Sequence, residues 1–330
     1  MKTADKKSAL VNDLVSKYGN TISRQQMFDS ATKFGVNPGF LTATKVGRGM
    51  YDISAFAAGA VASAVAAKVP ELTDEEILDS QHRRFRTLSR MAEGVTQGNV
   101  TSMIAAGPAG IGKTYMIEGL LQSAADRGEI QYTAVRGFVR ATGLYKLLWE
   151  HKEANQVLLL DDADSAFSDE ISLNLLKAAL DSSKRREISW RSEKEFSDGG
   201  GEGIPNTFEF KGSVIFITNL NFEMMIAQGN KLAPHLSALI SRSYYIDLNL
   251  GSAREYLVRI KDVLNNTDMA YTLGLTDVQT KKLNLFIDKN YMKFRELSLR
   301  MIVKLAKIML FTTDDGDFYD VVSTTCFKSR

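Results

Sequence analysis

Short apolar runs punctuate the middle of the chain, each about the length of a strand: Val100–Ala106, Gln131–Val135, Val157–Leu160, Gly212–Asn219 and Tyr244–Leu248. A continuous apolar run bounded by turn residues reads as a strand buried on both faces. Between them, apolar positions recur at helical spacing over Leu72–Gly94, Tyr115–Ala125, Leu144–Lys152, Ile171–Leu180 and Pro234–Arg242. Strands alternating with helices predict an α/β unit. From Ser252 onward the spacing is helical throughout, over Ser252–Leu264, Thr276–Lys289 and Met292–Phe311, with Asp314–Arg330 expected as a polar tail of weak strand character.

Ahead of this unit the pattern changes. Ala9-Leu10, Leu14-Val15 and Tyr18 form a helical stripe that stops at Gly19, and Ser23 is placed to cap a second helix, Arg24–Phe34, ending at Gly35. Asn37-Pro38-Gly39 reads as a turn and Lys45–Ile53 as a hairpin. Helix, helix, turn and a basic Gly-Arg-Gly hairpin resemble a winged-helix module spanning residues 1–54. Lys2, Lys6, Lys7, Lys17, Arg24, Lys33, Lys45 and Arg48 outnumber Asp5, Asp13, Asp29 and Asp52, an excess that suits phosphate contacts. A protein-docking domain with an ordinary solvated face is the alternative. Residues 55–71 read as a linker.

Composition narrows the picture mainly by exclusion. The net charge of +2 over 330 residues makes no global case for nucleic acid or a membrane. A single cysteine, Cys326, rules out an intrachain disulfide framework and fits a reducing, cytoplasmic setting. Three scattered histidines, His82, His151 and His235, argue against a zinc site. The first fifteen residues lack the apolar core of a signal peptide, and the alanine-rich run 55–67 is too short to span a bilayer.

The chemistry is concentrated after the first buried strand. Gly107-Pro108-Ala109-Gly110-Ile111-Gly112-Lys113-Thr114 is a complete G-x-x-x-x-G-K-[ST] loop, preceded by a strand and followed by a helix beginning near Tyr115. Its glycines let backbone N–H groups turn toward an anion, and the helix aims its positive end at the same point. Gly107 to Tyr115 are therefore the candidate nucleotide-binding residues. Lys113 is expected to reach the β- and γ-phosphates, and the Thr114 hydroxyl to ligate Mg²⁺. The run Val157–Leu160 ends in Asp161-Asp162, at the carboxyl end of a strand where ligands bind in open α/β sheets. Asp161 is the candidate metal ligand and Asp162 the candidate general base, with Asp164 as substitute for either. Asn219, beside Thr218, ends another buried strand and can hydrogen-bond the attacking water or the γ-phosphate.

Several features have two readings. Arg83, Arg84, Arg86 and Arg90 either form a solvated helix face, which the pattern favours, or meet nucleic acid or a neighbouring subunit. Phe138, beside Gly137, either packs inward, the favoured expectation, or stands out to grip a polymer. The β-type segments around the Gly-rich 198–203 stretch predict a hairpin inserted before the next core strand, Gly212–Asn219, facing a substrate or neighbour or else a tolerated surface insertion.

On these motifs the chain resembles the AAA+ ATPase family over about Leu72–Phe311. Besides the phosphate loop, Asp161-Asp162 and the sensor-1 position Asn219, Ser241-Arg242 resembles the arginine-finger pair, and Lys293-Phe-Arg295-Glu-Leu297 resembles the sensor-2 segment. Arg300, expected on the same helix as Arg295, is a rival for sensor 2. The resemblance implies a five-stranded parallel sheet in a core over 72–251, a helical lid over 252–330, and ATP with Mg²⁺ as ligands. It also implies a homo-oligomeric ring or spiral, commonly a hexamer, in which Arg242 completes the neighbour's site. Two substrate classes follow: nucleic acid, remodelled or loaded onto, and protein, remodelled in the manner of MoxR-type chaperones. Aspartate at 162 where many relatives have glutamate keeps a slow, nucleotide-switched scaffold in view. The stretch Leu173–Trp190 is also similar to ATPases of tailed bacteriophages.

Overall fold

A computed structural model of the chain describes residues 3–19, 21–39, 41, 45–47, 50–53, 72–167, 169–181, 183, 185–190 and 203–329. The alanine-rich 55–67 run, Arg48 and the Gly-rich 198–202 tip lie outside the described residues. The chain divides into two units, Met1–Glu71 and Leu72–Arg330.

The first unit carries helices α1 (Thr3–Tyr18) and α2 (Arg24–Phe34) and strands β1 (Thr21–Ser23), β2 (Lys45–Gly47) and β3 (Met50–Asp52). Ser23 caps α2 as expected: its hydroxyl accepts from Gln26 N–H at 3.3 Å while the Gln26 side chain accepts from Ser23 N–H at 2.8 Å. Gly35 ends that helix at φ +61°, the left-handed conformation that glycine adopts without a Cβ penalty. The strands form an antiparallel sheet in the order β1-β3-β2. Leu10, Leu14, Ile22, Met27, Ala31, Leu41, Tyr51 and Ile53 make the core of this unit. The two helices and the hairpin occur in the expected order, and strand β1, which the sequence pattern does not predict, lies between the helices and pairs with the hairpin.

The second unit is built on five parallel strands: β4 (Ser102–Ala106), β5 (Gln131–Arg136), β6 (Gln156–Asp161), β9 (Ser213–Thr218) and β10 (Tyr244–Asp247). Their order across the sheet is β10-β4-β9-β6-β5. The period-2 alternation sorts their side chains cleanly. Ile104, Leu158, Leu160, Val214 and Phe216 face one layer of helices, α5 (Ala141–Glu150), α6 (Glu170–Ala179), the short α7 (Phe222–Ala227) and α8 (Ala233–Arg242). Met103, Ala105, Val157, Leu159, Ile215 and Ile217 face the other, α3 (Asp74–Thr96) and α4 (Lys113–Asp126). Every residue of β4 and β9 is buried, which explains their unbroken apolar runs. The inserted hairpin exists as β7 (Glu187–Ser189) paired antiparallel with β8 (Thr207–Glu209), and Tyr145, Trp149 and Phe208 pack its base onto α5.

The C-terminal part comprises α9 (Ala253–Asn266), a short α10 (Met269–Thr272), α11 (Asp277–Asn290), α12 (Leu299–Phe311) and α13 (Asp315–Thr325), around Ile260, Leu264, Leu283, Ile287, Ile302, Leu305, Phe318 and Val322. Two expectations fail here. The helix expected from Met292 to Phe311 is broken. A 3-10 turn at Tyr291–Lys293 is followed by an extended stretch, and the helix restarts at Leu299 under a Ser298 cap whose hydroxyl accepts from Met301 N–H at 3.2 Å. Phe294 draws the break inward by packing edge-on against Phe327, to which it is bridged. The tail expected to be strand-like is helix α13. Asp314 caps it through Gly316 and Asp317 N–H, and Phe318 and Val322, four residues apart, enter the lid core. Arg295 and Arg300 therefore do not share a helix.

Candidate functional site

Strand β4 delivers the chain to Gly107, and α4 begins six residues later. Gly110 at φ +72° and Gly112 at φ +101° occupy backbone conformations that L side chains rarely adopt. No side chain caps α4, so its first N–H groups remain available to an anion. Lys113 is 5% exposed, and its ammonium donates to Gly107 O at 2.6 Å, Pro108 O at 2.9 Å and Asn219 Oδ1 at 3.1 Å. Burial pulls its pKa down to about 8, with Asp162 and Asp161 pulling the other way. A buried ammonium held by neutral acceptors is poised for a stronger, anionic one.

The carboxylates Asp161, Asp162 and Asp164 lie at and just after the carboxyl end of β6, beside Thr218 and Asn219 at the end of β9. Thr114 Oγ1 donates to Asp161 Oδ1 at 3.1 Å, and Arg136 Nε lies 3.3 Å from Asp161 Oδ2 while also pairing with Glu118. Asp162 has φ +52°, uncommon for a non-glycine residue, and its N–H donates to Ile217 O at 3.0 Å. Asn219 Nδ2 donates to Asp162 Oδ1 at 2.7 Å, so this amide links Asp162 directly to Lys113. Thr218 Oγ1 donates to Asp164 Oδ1 at 2.6 Å; burial raises the Asp164 carboxyl above the usual range, the Thr218 bond opposing it. Hydroxyl and carboxylate oxygens converging at Thr114 and Asp161 suit a hard divalent cation. Among the described residues no group of three or more His, Cys, Asp or Glu could hold a metal unaided. Magnesium fits such a place, because it is commonly held by one or two protein oxygens together with substrate phosphates.

No protein-family model matches the chain. It is 39% identical over 258 residues to the uncharacterized 36.7 kDa protein of the nrdC–mobD intergenic region of Enterobacteria phage T4, an alignment covering 78% of each protein. The chain belongs to that protein's family. Solved structures similar to it include a RuvB mutant from Thermotoga maritima, 16% identical over 74% of this chain and 69% of that one, TM-score 0.43. NtrX from Brucella abortus in complex with ATP is 14% identical over 93% of this chain and 71% of that one, TM-score 0.44. Rhizobiales Trip13 is 15% identical over 79% of this chain and 97% of that one, TM-score 0.39. The fold is α/β, a parallel five-stranded sheet carrying the Gly107–Thr114 loop at one end and followed by a helical C-terminal part.

The remaining site residues fall elsewhere. Arg242 ends α8, and its carbonyl accepts from Ser102 Oγ at 3.0 Å, at the start of β4 and so at the opposite end of the sheet from the phosphate loop. Its guanidinium donates to Ala238 O at 3.1 Å and lies 3.6 Å from Asp181. Arg295 donates to Phe327 O and lines a cleft of about 450 Å³ together with Pro108, Ala109, Ser252, Tyr256 and Lys328. The lid residue beside the loop is the rival, Arg300, whose side chain lies near Gly110 and whose charge acts on Lys113. Tyr115 is 88% exposed. Phe138 corrects the sequence expectation. It is 75% exposed, because Gly137 at φ +91° turns the chain off the sheet end and Val139 fills the interior instead. Arg83 pairs with Asp79, as a solvated helix face predicts, whereas Arg84 donates to Asn249 O.

Sequence reasoning missed Arg136, Glu118 and Arg259. Arg136 had a legible signal, since the last residue of a strand beside β6 falls in register with Asp161. Arg259 had none: its contact with the loop is made to the carbonyl of Ile111, far away in sequence.

Proposed function

We propose that the chain binds ATP with magnesium in the Gly107–Thr114 loop and hydrolyses it, acting as an oligomeric motor that remodels nucleic acid or loads a partner onto it. The observation that carries this is the single network Asp162–Asn219–Lys113, adjoining the Thr114–Asp161 pair at one end of the sheet. Lys113 meets the terminal phosphates, Thr114 and Asp161 hold the magnesium, Asp162 takes the proton of the attacking water, and Asn219 orients both. Magnesium supplies charge neutralisation on the phosphoryl oxygens. The place of Arg242, at the far end of the sheet from its own loop, supports a role toward a neighbouring copy. Exposed Phe138, with Arg140 5.7 Å from its ring centroid, supports contact with a polymer. The helix–strand–helix–hairpin order of the first unit favours nucleic acid as that polymer, and the phage T4 relative favours a bacteriophage setting.

The test is ATP turnover by the full chain at low salt, with single-stranded DNA, duplex DNA or no polymer. Stimulation by either DNA supports the reading. Turnover indifferent to both leaves the ATPase but refutes nucleic acid. A slow switch is the second reading, favoured by the short, hydrogen-bonded Asp162, and it predicts tight nucleotide binding with turnover below about one per minute, far under the usual enzyme range.

A further inference from the structure

Two successive carbonyls of the phosphate loop are held from outside the loop. Leu299 N–H, at the start of lid helix α12, donates to Gly110 O at 2.7 Å. Arg259 Nε, from lid helix α9, donates to Ile111 O at 3.3 Å. In a trans peptide the carbonyl of one residue and the N–H of the next point in opposite directions. Fixing these carbonyls toward the lid therefore turns the N–H groups of Ile111 and Gly112 to the other side, as successive donors of an anion-binding nest.

Arg259 is itself closely constrained. It is 8% exposed, and its guanidinium lies 3.7 Å from the Phe85 ring centroid on α3. Nη1 donates to Asp262 Oδ2 at 3.2 Å, which His82 Nε2 also approaches at 3.0 Å, while Asn266 donates to Asp262 Oδ1 at 3.0 Å. A lid that needed only a clasp to the core would be served as well by apolar side chains, without the desolvation of a guanidinium. The buried charge instead has one donor committed to the phosphate loop.

We propose that Arg259 is a positioning residue for the phosphate loop: by holding the Ile111 carbonyl it aims the Gly112 N–H at the bound phosphate. The lid thereby shapes the anion cradle before any nucleotide contacts the lid. This inference rests on the nucleotide-binding reading above.

The experiment compares full-length wild type, Arg259→Met and Phe85→Leu by hydrogen exchange without nucleotide and by calorimetric titration with ADP and magnesium. Arg259→Met keeps much of the volume but no donor; Phe85→Leu removes the stack and serves as the second variant if the first does not fold. The expected result is faster exchange confined to residues 107–115, with β6 and α11 still protected. ADP affinity should fall about tenfold for Arg259→Met, equivalent to about 1.4 kcal/mol, and less for Phe85→Leu. Unchanged loop exchange and ADP affinity overturn the proposal, and so does a uniform loss of protection through core and lid, which would make Arg259 a structural clasp. Absence of ADP binding by wild type would refute the nucleotide reading instead, and the exchange comparison would still decide the role of Arg259.

Discussion

The buried ammonium of Lys113 gives the phosphate loop a measurable pH signature. Its pKa in the folded, ligand-free chain is about 8, against 10.5 for the free side chain, with desolvation the main cause. Between these values the unfolded chain binds the proton and the folded chain does not, so stability rises with pH across that window. The full shift corresponds to about 3 kcal/mol, of which about 2 kcal/mol is gained between pH 7 and 9.5, from linkage at about 1.4 kcal/mol per pKa unit. Lys113→Met removes the titrating group and nothing else that ionises. Urea unfolding at 25 °C, on wild type and variant across pH 7–9.5 without nucleotide, should show the wild-type unfolding free energy climbing relative to the variant by about that amount. Any constant offset from the acceptors at Gly107, Pro108 and Asn219 cancels in the difference between slopes. A phosphate brought against the ammonium favours its charged form, so ATP affinity should fall roughly tenfold per pH unit above pH 8. Parallel slopes in the two proteins, or affinity flat to pH 9.5, would refute the claim that this lysine is held desolvated between neutral acceptors.

Asp162→Asn should keep ATP affinity but lower turnover by about 10²-fold or more, measured as phosphate release, because it removes the base while leaving Asn219 in place; normal turnover would move that role to Asp164. Arg242→Ala and Lys113→Ala chains, each inactive alone, should regain activity when mixed, since Arg242 sits at the opposite sheet end from its own loop. Failure of co-assembled mixtures to recover would remove the role across an interface. Phe138→Ser should change the unfolding free energy by less than about 0.5 kcal/mol, as expected of an exposed side chain, whereas a loss of several kcal/mol in urea melts would restore the buried reading.

What the chain disclosed in advance follows from the range of the interactions involved. Gly107–Thr114 was legible because glycine at 110 and 112 is a local backbone requirement and the following helix is a local pattern. Asp161, Asp162 and Asn219 were legible because each ends an apolar run, and parallel packing brings such ends together. The break at Phe294 was not, because an aromatic at helical spacing looks the same whether the helix continues or the ring is drawn to Phe327, and that contact is made by residues distant in sequence. The same blindness hid helix α13, where the polar residues that suggested a tail supply a cap and a solvated face. Phe138 failed for a local reason read the wrong way: Gly137 turned the chain outward and Val139 took the interior place.

These misses share a consequence for the site. The groups that make the loop look like a phosphate cradle are close in sequence, while those that hold it in shape, Arg259, Leu299 and Ser298, come from the lid. A Cβ on Gly110 would stand 2.7 Å from the Ser298 Cβ, so loop and lid are in contact with no room to spare. A lid displacement of even an ångström would lengthen the Gly110 and Ile111 hydrogen bonds beyond useful range. The loop motif specifies which backbone donors exist, and the lid decides whether they converge. Coupling between nucleotide and lid can then run through backbone carbonyls as well as through an arginine reaching the phosphate, and substitutions along α9 and α12 become the place to look for variants that alter nucleotide affinity without touching the motif.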